Sequence, residues 1–154
     1  MGGNISVAFS LAAAKAAANS KKVSLYHHIG NKKNYSLPAP MANVLGGGAH
    51  AIGGTDIQEY LVTSFDNDIN TAIEANAMVH KKVGSLLKDK FPNIALGKGD
   101  EGAWVAPLEN LEALELVVKA ANQIENETGV EIRPGLDIAA SEFYRHIFDV
   151  EGVR

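Results

Sequence analysis

Apolar residues spaced three and four apart predict two long helices in the middle and later parts of the chain. From Ile69, the positions Ala72, Ile73, Val79, Val83, Leu86 and Leu87 trace one stripe to about Lys90, with Asp66, Asn67 and Asp68 available as caps. Asn110 is placed to cap the other, which carries Leu111, Leu114, Val117, Val118, Ala121 and Ile124 on its apolar face and stops at Gly129. Near the start, Asn4 is placed to cap a helix running to about Asn19. Its face of Ile5, Ala8, Phe9, Ala12 and Ala16 is small enough for close packing. Val23 to Ile29 adds a helical turn or two, ended by Gly30.

Between these lie the predicted strands. Pro38 and Pro40 preclude a helix, so MANVL at 41–45 reads as a short buried strand, and Ile57 to Phe65 alternates as a second. Phe91-Pro92-Asn93 breaks the chain, a loop follows, and Val130 to Ile138 makes a third strand bearing Asp137. The order is strand, strand, helix, helix, strand, an α/β pattern that a plain βα repeat does not produce. The polar connector at 31–34 is the expected domain boundary, dividing the chain into 1–34 and 35–154.

Composition narrows the function. At 154 residues with 46% hydrophobic content, the chain is long enough to bury a sizeable core. Its net charge of −4 and dispersed Lys and Arg argue against nucleic acid as a partner. Lys81, Lys82, Lys88 and Lys90 cluster towards a helix C-terminus, where the dipole favours cations, and read as a solvated end. With no cysteine there is no disulfide framework and no thiolate metal site, which suits a reducing cytoplasm. The apolar segment at 5–18 is interrupted by Lys15 and is too short and Ala-rich to span a bilayer; no targeting segment is apparent.

Candidate chemistry centres on GGGAHAIGGTDIQE at 46–59. Five glycines in this stretch suit a loop that closes over a ligand, and His50, Asp56, Gln58 and Glu59 sit within or beside it. Alone, such a loop also reads as an ordinary turn with a solvated histidine. Two further stretches, GDEGAWVAP at 99–107 and GLDIAASEFY at 135–144, stand in register with PAPMANVLGGGAHAIGGTDIQEY at 38–60 and with GGNISVAFSLAAAKAAA at 2–18. Together they resemble the enolase family, and the resemblance runs from Gly2 to about Gly152.

The resemblance implies the opening ββααβ of an enolase-type TIM-like barrel, preceded by helices of the N-terminal capping domain. A whole barrel of this kind takes about 250 residues, so only its first part is expected here. Family membership further implies Mg²⁺-dependent lyase chemistry that interconverts 2-phosphoglycerate and phosphoenolpyruvate. In that scheme Glu101 and Glu59 are the catalytic acids, with Glu101 assisting departure of the hydroxyl. His50 and Gln58, with Glu59, contact substrate, and Asp137 is one of the metal carboxylates. Ser141 and Glu142 support the strand end, and Trp104 packs behind its loop. Full-length enolases are generally dimers or larger, so self-association, or pairing with the missing enolase segment, is expected. Read without the resemblance, the two glutamates are surface loop acids and Asp137 is a strand-end cap. The alternative function is a non-catalytic paralogue or fragment that acts as a binding or assembly module.

Overall fold

The computed structural model describes residues 2–30 and 32–144, omitting the side chains of His50, Glu142 and Phe143. The chain forms two compact units, Met1–Leu37 and Pro38–Arg154. In the first, α1 (Gly3–Ser20) and α2 (Leu25–Gly30) are joined by a tight turn in which Lys22 takes φ 56° and the Val23 amide donates to the Ala18 carbonyl at 3.1 Å. The helix starts two residues earlier than expected, with Gly2 at its N-cap, and Asn4 Oδ1 accepts from the adjacent Ile5 amide at 2.9 Å. Ile5 and Phe9, expected on a packed face, are exposed. Gly30 is the last helical residue, and a side chain there would strike the Tyr35 ring, which meets Tyr26 edge to face at 5.1 Å.

The second unit is a five-stranded sheet with two helices. Strands β1 (Met41–Gly46), β2 (Glu59–Phe65) and β5 (Glu131–Asp137) form an antiparallel array with β2 in the middle. Helix α3 (Ile69–Lys90) and helix α4 (Asn110–Thr128) cover the same face of this array. Between them the expected loop contains a small hairpin, β3 (Gly97–Lys98) and β4 (Trp104–Val105), and β4 joins β1 in parallel. The sheet order is therefore β3-β4-β1-β2-β5. Two residues per strand leave no period-two signal, so the hairpin had no visible pattern in sequence.

Alternation along the strands separates core from mouth. Val44, Leu45, Tyr60, Val62 and Ile132 join Val79, Val83 and Leu87 of α3 and Ala113, Val117, Ala121 and Ile124 of α4 in one core. Ile73 and Leu111, read as apolar-face positions, are instead 52% and 66% exposed. Ala75, Asn76 and Gly84 complete the buried surface of α3. Asp68 caps α3 by accepting from the Asn70 and Thr71 amides. Helix α4 is capped by Glu109, whose amide donates to Glu112 Oε2 at 3.3 Å, which releases Asn110 for another task. Pro134 lies on β5, an edge strand among the described residues, the position in a sheet where proline is tolerated.

Candidate active site

The opposite face of the sheet carries the chemistry. Because β2 runs against both neighbours, its first residue lies beside the last residues of β1 and β5. Gly46 pairs with Glu59, and Glu59 pairs with Asp137. A register irregularity between Asn43 and Leu45 accommodates Val44 as an extra residue in β1. Asn43 thereby stays on the same face as Glu59, and its Nδ2 donates to Glu101 Oε2 at 3.1 Å. Three carboxylates, Glu59, Glu101 and Asp137, thus gather at one end of the strands, brought together from three separate parts of the sequence.

Their proximity shows in the chemistry of Glu59. Burial lifts its carboxyl above the ordinary glutamate value, and the charges of Glu101 and Asp137 raise it further. A hydrogen bond with Glu101 adds to the rise, while one with Gln58 opposes it. Like charges on directly opposed strand residues repel, which favours keeping a proton in this group. The folded chain therefore holds this proton more tightly than the unfolded chain. The resulting stability is present below the ordinary value of 4.5 and is lost as pH rises through the raised one. Glu59→Gln is expected to be at least as stable as the wild type at neutral pH, with the difference closing in more acid solution. Melting temperatures followed across this range test the point, and parallel curves for the two proteins would contradict it.

The glycine-rich loop is pinned at its base. Gly47 donates to the Gln58 carbonyl at 2.9 Å and Gly48 to that of Thr55 at 2.7 Å. A Cβ at Gly47 would collide with Thr55 and with the Ile57 carbonyl, whereas Gly46 has room for one. The tip, with Ile52 fully exposed and Gly53 at φ 82°, projects away. His50 ends the 3₁₀ turn Gly48–His50; its side chain lies outside the described residues. Gln58 is half-buried and lines a small cleft with Asn43, Gly46, Ala51, Asp100 and Glu101.

Two side chains that sequence reasoning missed organise this region. Asn110 reaches from the start of α4 to the end of the loop. Its Oδ1 accepts from the Asp56 amide at 2.9 Å and its Nδ2 donates to Asp56 Oδ2 at 3.2 Å. The Tyr60 hydroxyl donates to the Asn110 carbonyl at 3.1 Å, so strand, loop and helix meet there. An asparagine at a helix start has the same sequence signature whether it caps or clamps. Asn43 is the other, and no pattern in β1 distinguishes it from a neutral strand residue. Trp104, expected to pack behind its loop, is half-buried and donates from Nε1 to the His80 carbonyl at 2.9 Å.

Asp137 keeps its exposed carboxylate at the strand end, with Oδ1 accepting from the Ala139 amide at 3.0 Å. Among the described residues no group of three or more His, Cys, Asp or Glu is placed to hold a metal ion. Asp137 offers one hard oxygen donor of the type Mg²⁺ prefers, which is compatible with the ion but is a partial donor set. Ser141 lies in the 3₁₀ turn Ala140–Phe143 just beyond the strand, its carbonyl accepting from the Tyr144 amide at 3.2 Å.

Two helices cover one face of the sheet, and carboxylates cluster at the strand ends. A family model described as the enolase C-terminal TIM barrel domain matches residues 34–152. The enolase of Methanothermobacter thermautotrophicus is 49% identical over 146 residues, covering 94% of this chain and 35% of the relative. That of Methanocorpusculum labreanum is 46% identical over 147 residues, covering 94% of this chain and 36% of the relative. The Thermoplasma acidophilum enolase is 40% identical over 146 residues, covering 95% and 36% respectively. The chain belongs to the enolase family, and it spans about a third of the length of these relatives.

Proposed function

We propose that this chain contributes the end of the capping domain and the first part of the barrel of an enolase, a lyase that reversibly dehydrates 2-phosphoglycerate to phosphoenolpyruvate in glycolysis and gluconeogenesis in the cytoplasm. The observation that carries this reading is the row Gly46, Glu59 and Asp137, with Glu101 hydrogen-bonded beside it. In this reading residues 1–34 are a remnant of the capping domain and 35–154 the first part of the barrel. No helix among the described residues is long and apolar enough to cross a bilayer.

The reaction removes a proton from carbon 2 and expels the hydroxyl of carbon 3, which leaves as water only when protonated. Glu59 and Glu101 supply that proton. Burial and the neighbouring charges of Glu101 and Asp137 raise the affinity of Glu59 for a proton above that of a solvated glutamate, the direction a general acid requires. The carboxylate of Glu101 is aimed by Asn43. Gln58, on the cleft, and His50, on the glycine-rich loop, are assigned with Glu59 to substrate binding. Asp137 provides one carboxylate to Mg²⁺, whose chemistry when bound is to stabilise the charge of the enediolate, as is general in the enolase superfamily.

No residue matched here serves as the base at carbon 2, and general acid or base groups each contribute roughly 10² to 10⁴ in rate. The 154-residue polypeptide alone, given Mg²⁺ and 2-phosphoglycerate, is therefore expected to show no turnover above background by phosphoenolpyruvate absorbance. Co-expressed with the remaining capping-domain and barrel segments of the Methanothermobacter relative, it is expected to gain turnover, which Glu101→Gln then lowers by roughly 10² or more. Ordinary enolase rates from the chain alone would contradict this division of residues, and an inactive pair would contradict the enolase reading.

A second reading, a non-catalytic assembly module, is favoured by one feature. The outer edge of β5 has no strand partner among the described residues, and on the sheet face away from the two helices Met41 and Phe65 are exposed. Such an edge and face suit self-association or pairing with the missing segment. This reading predicts that the co-expressed pair assembles without turnover.

A further inference from the structure

The loop that carries Glu101 is held from behind by α3. Glu101 stands in a turn closed by the Gly102 amide donating to the Gly99 carbonyl at 2.9 Å, and Gly102 takes φ 81°. His80, on the middle of α3, places its Nε2 at 2.9 Å from the Gly102 carbonyl. A carbonyl only accepts, so Nε2 carries the hydrogen. The imidazole also stacks on the Trp104 indole, with centroids 5.6 Å apart and planes 25° from parallel. Trp104 in turn donates to the backbone carbonyl of His80 and lies where a side chain on Gly84 would be, one turn further along α3. The Lys98 ammonium sits 4.7 Å from the same indole.

The Gly102–Ala103 peptide is therefore tied to α3, while the Glu101 carboxylate is tied to β1 through Asn43. Without the tie to α3, the turn is held by its own backbone bonds, from Gly102 to Gly99 and from Gly99 to Ala103, and the carboxylate by Asn43 and Glu59. We propose that His80 is a positioning residue for Glu101, fixing the turn by donating from Nε2 to the Gly102 carbonyl, with Trp104 as the platform that orients its ring. The inference rests on the role proposed above for Glu101. His80 touches no reacting group and acts through the turn.

Two variants separate the hydrogen bond from the packing. His80→Phe keeps a ring to stack on Trp104 and removes the donor; His80→Gln keeps an N–H of similar reach and removes the ring. In the 154-residue chain, amide exchange at Gly99 and Gly102 is expected to accelerate about fivefold in His80→Phe and to return towards wild type in His80→Gln, with the amides of β2 and β5 unchanged. In the co-expressed pair, His80→Phe is expected to lower kcat about tenfold at unchanged KM, and His80→Gln to recover most of it. Unaltered exchange in His80→Phe, or equal losses in both variants, would overturn the proposal. An inactive wild-type pair would overturn the enolase reading instead, and the exchange measurements would still decide whether His80 holds the turn.

Discussion

The Gly84→Val variant is expected to unfold about 3 kcal/mol more easily than the wild type, at the upper end of the range for overpacked cores. Gly84 lies in the middle of α3 and is buried, and even a single Cβ there would overlap the six-membered ring of Trp104. The indole has little freedom to retreat. Its Nε1 is bonded to the His80 carbonyl, its backbone pairs with Leu45 of β1 and Lys98 of β3, and its ring is stacked on His80. A glycine in a helix interior costs about 1 kcal/mol relative to alanine, so the chain bears that penalty to let the indole lie against the helix backbone. Gly84→Ala is expected to show a smaller loss, because the propensity gain offsets part of the clash. Trp104 is the only tryptophan, so its emission reports the displacement directly and is expected to shift to the red. Unchanged emission with undiminished stability would show that the indole relocates at little cost.

Asn76→Ala is expected to cost about 2 to 3 kcal/mol, from lost hydrogen bonds and a stranded polar group. Asn76 is 6% exposed and joins three elements. Its Oδ1 accepts from the fully buried Ser64 hydroxyl of β2 at 2.8 Å, and its Nδ2 donates to the Pro40 carbonyl at the start of β1 at 2.9 Å. Truncation leaves the Ser64 hydroxyl without this partner in a place that water does not reach. The size of the loss follows from the desolvation of that group more than from the bond itself. A double-mutant cycle separates the two: Asn76→Ala with Ser64→Ala is expected to be more stable than the sum of the single losses. Additive losses would mean that the two side chains are not coupled through this bond.

The long elements were legible because their periodicity is set by local geometry. Stripes at helical spacing placed α3 and α4 to within a residue or two, and alternation with flanking prolines and glycines placed β1, β2 and β5. What failed was assignment within elements. Ile73 and Leu111 are apolar yet outward, while Asn76 and Gly84 are inward, because the direction a helix faces is chosen by its partner surface and not by each residue's hydropathy. Caps slipped for a similar reason. Asn110 is a good capping residue by type, but a capping box at Glu109 and Glu112 made that role redundant and left its amide for the loop.

The candidate site divides along the same line. Glycine and carboxylate motifs in register identified Glu59, Glu101 and Asp137 as a set, since the resemblance carried them together across the chain. Sequence also placed two strands ahead of the helices, whereas their antiparallel pairing came from the structure. Which carboxyl is perturbed was decided only by tertiary structure. The antiparallel register sets Glu59 directly beside Asp137, and the turn after β3 brings Glu101 within hydrogen-bonding distance of the same group. Asn43 and His80 owe their places to a strand irregularity and to a glycine that admits an indole. Both depend on contacts between residues more than twenty positions apart, a separation at which local pattern carries no information.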